Sequence, residues 1–165
     1  MKALRHVAPL LLLGGLGSIQ AASAQQLDVK FSCSAPGDDG GERVMYADNG
    51  EIRLNGSRID GFRWESSLFR STHGFDCSVD EDDGLWAEVI GDGQKSGWRI
   101  NLLNAAKARA HRGYDFMTGA NCTIRLLRDG DALRIKPSCP ALCGSRRNFS
   151  ELSVNLKTGA CKYED

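Results

Sequence analysis

The chain has 165 residues, of which 25% are charged, and its 21 basic side chains equal its 21 acidic ones in number. Such a balance gives no long-range field for capturing nucleic acid or an anionic membrane surface. The length suits a single domain, and no change of composition along the chain indicates a second one.

Residues 1–24 have the three-part layout of a secretory signal peptide. Lys2 and Arg5 precede an apolar run, and a small-residue cleavage site occupies positions 22–24. The apolar run is shorter than the roughly 20 residues that cross a bilayer, so we expect a cleaved leader and no membrane anchor. The predicted mature domain, 25–165, then carries 19 basic and 21 acidic residues, a net charge of −2, and resides in the periplasm or outside the cell.

Strand-sized segments separated by turn residues follow the leader. Apolar and polar residues alternate at 27–31, 51–54 and 133–136, and further short apolar segments lie at 85–90, 98–103, 122–127 and 152–156. Between them recur pairs that favour tight turns: Asn49-Gly50, Asn55-Gly56, Asp60-Gly61, Asp83-Gly84, Asp92-Gly93, Asp129-Gly130 and Thr158-Gly159. The pattern predicts a mainly β domain built from hairpins, as a single small antiparallel sheet, a sandwich or a barrel.

At most one short helix is expected, in the Ala-rich residues 104–112 before Gly113. The alternative is that these residues extend the strand that begins at Trp98. The segment is basic and ends near an aromatic residue, a combination enriched at protein–protein hot spots. It therefore supplies candidate partner-binding residues, with a solvated helix face as the alternative: Arg109, His111, Arg112 and Tyr114.

All the cysteines lie after the leader, and their number is even: Cys33, Cys77, Cys122, Cys139, Cys143 and Cys161. In an exported chain this indicates three disulfides. A zinc site is the alternative, but no second close Cys pair or His cluster accompanies Cys139 and Cys143.

The segments 122–127 and 132–136 predict a hairpin whose turn is either Asp129-Gly130 or Gly130-Asp131. Both registers put the apolar residues on one face, and the second places Cys122 opposite Cys139. We therefore predict a Cys122–Cys139 disulfide, with Cys143–Cys161 and Cys33–Cys77 by elimination.

The last quarter of the chain contains C-P-A-L-C-G-S-R at 139–146, between an N-C-T-I-R-L-L stretch and a closing T-G-A-C-K-Y. This resembles small exported proteins of Gram-negative bacteria with a C-x3-C-G-x-R signature, which are similar to periplasmic lysozyme-inhibitor-like modules. The resemblance implies a periplasmic β module. Inhibitors of the membrane-bound type carry a Ser/Gly-rich loop followed by a basic residue and Tyr, whereas residues 144–147 here, G-S-R-R, have no following Tyr.

A catalytic set is hard to find in the sequence. His73 lies near Asp76, but such closeness in sequence is weak evidence for a catalytic pair, and no Gly-x-Ser-x-Gly elbow surrounds any Ser. Phosphate-loop and cofactor fingerprints are missing, and the acidic run 80–83 lacks the ligand spacing of an EF-hand. We expect no metal or cofactor, and an enzyme is the less favoured interpretation.

The leading hypothesis from the sequence is a periplasmic binding or inhibitory module that contacts another envelope protein, such as a peptidoglycan-degrading enzyme. Two alternatives remain open. One is a small envelope hydrolase that uses His73 and Asp76, and the other is an envelope structural or stress protein without a discrete ligand.

Overall fold

The computed structural model describes residues 25–91, 96–104, 107, 110, 122–138 and 149–164. These residues form two antiparallel sheets in which strands that follow one another in the chain are neighbours. The four-stranded sheet has the order β1 (Gln26–Asp39), β2 (Glu42–Asn55), β3 (Arg58–Phe69) and β4 (Gly74–Asp80). The six-stranded sheet has the order β10 (Cys161–Tyr163), β9 (Leu152–Asn155), β8 (Ala132–Pro137), β7 (Thr123–Asp129), β6 (Ser96–Leu102) and β5 (Leu85–Gly91).

The inward side chains of both sheets form one hydrophobic core. Trp64 of β3 is fully buried and meets the ring of Phe149 edge-on, with 4.7 Å between ring centroids. Trp98 of β6 is also fully buried, and its Nε1 donates to the carbonyl of Gly56 at 2.9 Å, which joins the six-stranded sheet to the β2–β3 turn. The sandwich alternative is confirmed. The single-sheet alternative is wrong, because each sheet has an apolar face that the other covers.

The two sheets are joined along one edge and by one short connection. Ser32 of β1 and Ala160 form a parallel bridge, and the adjacent Cys33 and Cys161 form a disulfide with 5.4 Å between Cα atoms. On the other side, a short 3₁₀ helix, Glu81–Asp83, leads from β4 to β5. Asp80 caps this helix reciprocally with the buried Asp83, so part of the acidic run is built into the connection.

The disulfide between Cys33 and Cys161 shows that the predicted Cys33–Cys77 and Cys143–Cys161 pairs are wrong. Cys33 and Cys77 lie in one row across the four-stranded sheet, on β1 and β4, with two strands between them. Three strand spacings amount to roughly 14 Å, which is about twice the reach of a disulfide. The disulfide partner of Cys33 therefore depends on which strand of the other sheet lies next to β1, and that strand is β10.

Cys77 and Cys122 also take part in disulfides, and no described cysteine is free. Cys139, the predicted partner of Cys122, lies outside the described residues, so the Cys122–Cys139 pair stays a prediction. The β7–β8 hairpin has the second of the two predicted registers, with Asp129 opposite Ala132.

Each of the seven predicted strand segments coincides with a strand, and those at 98–103, 122–127 and 152–156 extend one residue beyond it. Of the predicted helix 104–112, the structure describes Asn104 in a turn, and Lys107 and Ala110 in helical backbone. In the described part of the chain, no helix has the length and apolar character to cross a membrane.

Candidate functional site

The outer face of the six-stranded sheet is formed by the side chains of β5–β10 that point away from the core. Among the described residues, four acidic residues lie on it or at its margin: Glu88, Asp129, Glu151 and Glu164. Five basic residues lie on it, which leaves a local charge of about +1 on a mature chain whose expected net charge is −2: Arg99, Arg125, Arg134, Lys136 and Lys162. The face is thus basic against the background of the molecule.

Three of these cations form a row. The register places Arg99 of β6 opposite Arg125 of β7, and Arg125 opposite Lys136 of β8. Like charges directly opposite one another on a sheet are destabilising, so this row is not explained by the stability of the sheet. We call Arg99, Arg125 and Lys136 the cationic row.

The two ends of the cationic row are neutralised and its centre is not. Arg99 lies 3.2 Å from a carboxylate oxygen of Glu88, and Lys136 lies 2.9 Å from one of Glu151. Arg125 is exposed, and within the described residues its side chain has no ion pair or hydrogen bond. Its guanidinium therefore presents free donors to solvent in a neighbourhood of positive charge.

Two adjoining grooves lie beside the row, across β7–β10. One has a volume of about 390 Å³ and includes Leu127, Ala132 and Arg134 in its lining. The second, of about 580 Å³, shares Ala132 with the first and extends to Lys162 on β10. Volumes of this size are typical of sites that hold a small ligand or a short peptide segment.

The two ends of the grooves differ in charge. Arg134 and Lys162 lie at one side, and Asp129 and Asp131 lie with Arg128 at the tip of the β7–β8 hairpin. Lys157 neutralises Asp131 at a distance of 2.5 Å. The tip therefore carries both signs of charge, and the basic end is the one at Arg134 and Lys162.

Exposed apolar side chains flank the cationic row. Trp86 on β5 is 50% exposed and Leu127 on β7 is 38% exposed. Gly97 is on β6, and a Cβ at this position would lie too close to Leu127, Ile90 and the backbone of β7. The face thus combines arginine with an exposed tryptophan, two residue types enriched at binding hot spots.

The strand β10 forms one wall of the larger groove and is only three residues long. Its three register pairs with β9 are supplemented by the Cys33–Cys161 disulfide and by Tyr163, whose hydroxyl donates to Asp48 at 2.7 Å. The groove therefore depends on contacts made inside the sandwich.

Asp48 is the centre of those internal contacts. It is 2% exposed, and Trp64 Nε1 and the Tyr163 hydroxyl each donate to its carboxylate at 2.7 Å, with a further hydrogen bond from Ser66. Burial raises the pKa of Asp48, and the three hydrogen bonds oppose that rise. Burial and the charge of Asp48 likewise raise the pKa of Tyr163. The arrangement fastens β10 to the four-stranded sheet.

Sequence reasoning missed both the outer face and Asp48. The sequence contained a signal for Asp48: it lies an even number of residues from Ile52 and Leu54 on β2, so its side chain points inward as theirs do. The predicted partner-binding residues fall outside the described residues and stay a prediction: Arg109, His111, Arg112 and Tyr114.

The residues of the hydrolase alternative lie away from the grooves. His73 is exposed in the β3–β4 turn, where its Nδ1 shares a hydrogen bond of 2.9 Å with the hydroxyl of Thr72. Asp76 is exposed on β4. Among the described residues, no three His, Cys, Asp or Glu side chains converge as metal ligands would.

Neither a protein-family model, nor a curated protein, nor a solved structure matches this chain.

Proposed function

We propose that this protein is an exported binding module of the cell envelope that contacts another envelope protein through the outer face of its six-stranded sheet. The observation that carries the proposal is Arg125, an exposed cation between two other cations, with no carboxylate partner among the described residues. The resemblance of residues 121–163 to lysozyme-inhibitor-like modules makes a peptidoglycan-degrading enzyme the first partner to test. The leader-like residues 1–24 support a location in the periplasm or outside the cell.

The energetics of the cationic row support a role in binding. An opposed pair of like charges costs up to about 1 kcal/mol relative to a neutral pair. Glu88 and Glu151 offset this cost at the two ends, but Arg125 keeps it. A partner that supplied a carboxylate to Arg125 would remove the repulsion and form a charge-assisted hydrogen bond.

A rigid scaffold suits this role, and we propose that three disulfides provide it. The β7–β8 register, extended by two pairs beyond Ile124 and Pro137, would set Cys122 opposite Cys139. That pair would occupy a non-hydrogen-bonded position, where Cα atoms lie roughly 4.5 Å apart and a disulfide fits. Cys77 would then pair with Cys143. Peptide mapping under non-reducing conditions tests this connectivity, and a Cys139–Cys143 peptide would contradict it.

The proposal is tested by retention of envelope proteins on the immobilised mature chain, together with assays of peptidoglycan hydrolysis. Arg125→Glu is the diagnostic variant. Arg63→Glu is its matched control, because Arg63 is an exposed arginine on the four-stranded sheet, 2.9 Å from Glu65.

We expect the wild-type protein and Arg63→Glu to retain the same partner and to inhibit hydrolysis equally, and Arg125→Glu to do neither. Retention of no protein by the wild type would contradict the proposal. Equal retention by both variants would also contradict it.

A further inference from the structure

We propose that the segment held by this face is acidic polypeptide, with one carboxylate bound to Arg125 and its chain lying in the grooves across β7–β10. This inference rests on the proposed docking face and names the chemistry of its occupant. It follows from the charges and the shape of the face.

The charge distribution selects an anion at one place. Glu88 pairs with Arg99, and Glu151 is shared by Lys136 and Arg134, so Arg125 is the cation of the row that has no carboxylate partner among the described residues. The planar guanidinium of arginine has five N–H donors, and two of them can form parallel hydrogen bonds to the two oxygens of one carboxylate. A Glu or Asp side chain is therefore the complementary group.

The grooves fix the direction of the chain that carries this carboxylate. Leu127 and Ala132 supply apolar lining next to Arg134, and the path continues to Lys162. At the hairpin tip, Asp129 and Asp131 lie beside Arg128 and Lys157, so the tip offers no net positive charge. Acidic residues of the partner would thus lie on the Arg125 and Lys162 side.

The same features favour polypeptide over an extended polyanion. Polyanionic glycans and membrane surfaces gain affinity from many unpaired cations acting together. Here the face has a local charge of only about +1 over the described residues, and the expected net charge of the mature chain is −2. Arg125 has no carboxylate partner among the described residues and lies two positions from the exposed Leu127 on β7, which suits one carboxylate with an apolar neighbour.

The experiment measures fluorescence anisotropy of labelled eight-residue peptides with the mature, oxidised protein. One peptide alternates Glu with Ala, and the other has Gln in place of every Glu. Arg125→Gln is compared with Arg63→Gln, and circular dichroism verifies that each variant is folded.

We expect the Glu peptide to bind, and replacement of Glu by Gln to weaken binding roughly tenfold to a hundredfold, the loss of one charge-assisted hydrogen bond. Arg125→Gln should weaken it by a similar factor. Arg63→Gln should change it less than about twofold. Added salt should weaken binding to the wild type as the Debye length shortens.

Equal binding of the two peptides, or unchanged binding by Arg125→Gln, would overturn the inference. So would stronger binding of dextran sulfate or of phosphatidylglycerol vesicles than of the Glu peptide. If the Glu peptide failed while Arg125→Glu still abolished retention of an envelope protein, the docking face would stand and only the acidic segment would be wrong.

Discussion

The Tyr163 hydroxyl is the single group whose removal tests how the sandwich holds its last strand. Tyr163→Phe deletes one of the hydrogen bonds to the buried carboxylate of Asp48 and leaves the ring in place. Hydrogen bonds to charged groups contribute about 1.5–3 kcal/mol, so we expect the free energy of unfolding to fall by that amount. The hydrogen bond from Tyr163 also lowers the pKa of Asp48, so that pKa should rise further in the variant.

The thermal midpoint gives a direct readout of this loss. A mature chain of roughly 140 residues changes its midpoint by about 3–4 °C per kcal/mol, so Tyr163→Phe should melt about 5–10 °C below the wild type. Urea unfolding at constant pH, followed by tryptophan fluorescence, gives the same quantity independently.

Tyr46→Phe is the matched control for this change. The ring of Tyr46 lies 6.4 Å from that of Tyr163, and its hydroxyl has no hydrogen bond within the described residues. We expect Tyr46→Phe to change stability by less than about 0.5 kcal/mol. Equal losses for the two variants, or no loss for Tyr163→Phe, would refute the assignment of Asp48 as the group that fastens β10.

Three further predictions concern charge and covalent structure. Because burial raises the pKa of Asp48 above its unfolded value, its contribution to stability is fully present below the unfolded pKa and is lost as pH rises through the folded one. Urea titrations at several pH values give the free energy of unfolding of the wild type and of Asp48→Asn. The wild-type value minus the Asp48→Asn value should therefore fall as pH rises from about 4, and a difference that grew with pH would contradict this. Replacing Cys33 and Cys161 by Ala removes a disulfide that joins residues 128 positions apart, so the free energy of unfolding should fall by about 4 kcal/mol. A loss below about 1 kcal/mol in urea unfolding would contradict a stabilising role for this disulfide. Arg125→Gln should raise the free energy of unfolding by a few tenths of a kcal/mol, and added salt should make this increase smaller. If Arg125→Gln instead lost more stability than Arg63→Gln, Arg125 would have a structural role.

Much of the fold could be predicted from the sequence, because alternation of apolar and polar residues is a local property. The segments at 27–31, 51–54 and 133–136 lie in β1, β2 and β8 for this reason. The strand β3 was missed because the register with β2 shifts at Arg53 and Leu54, near the Asp60-Gly61 pair, and the period of two is interrupted there.

Asn49-Gly50 shows where turn chemistry misleads. Both residues lie inside β2, and Gly50 is opposite Phe31 on one side and Trp64 on the other. A Cβ at Gly50 would overlap the ring of Phe31, so the glycine makes room for an aromatic side chain and does not make a turn. Local sequence cannot distinguish these two uses of glycine.

The disulfide and the candidate site depend on long-range pairing. Cys33 meets Cys161 only because β1 and β10 come together at the edge of the sandwich. Arg99, Arg125 and Lys136 are visible as polar positions in their strands, but their alignment in one row requires the register of three strands.

Site-specific photo-crosslinking in the periplasm tests the docking face most directly. A photoreactive amino acid at position 125 should give a crosslink to one envelope protein, and the same amino acid at position 63, on the outer face of the other sheet, should not. Crosslinks to the same protein from both positions, or from position 63 alone, would contradict the account.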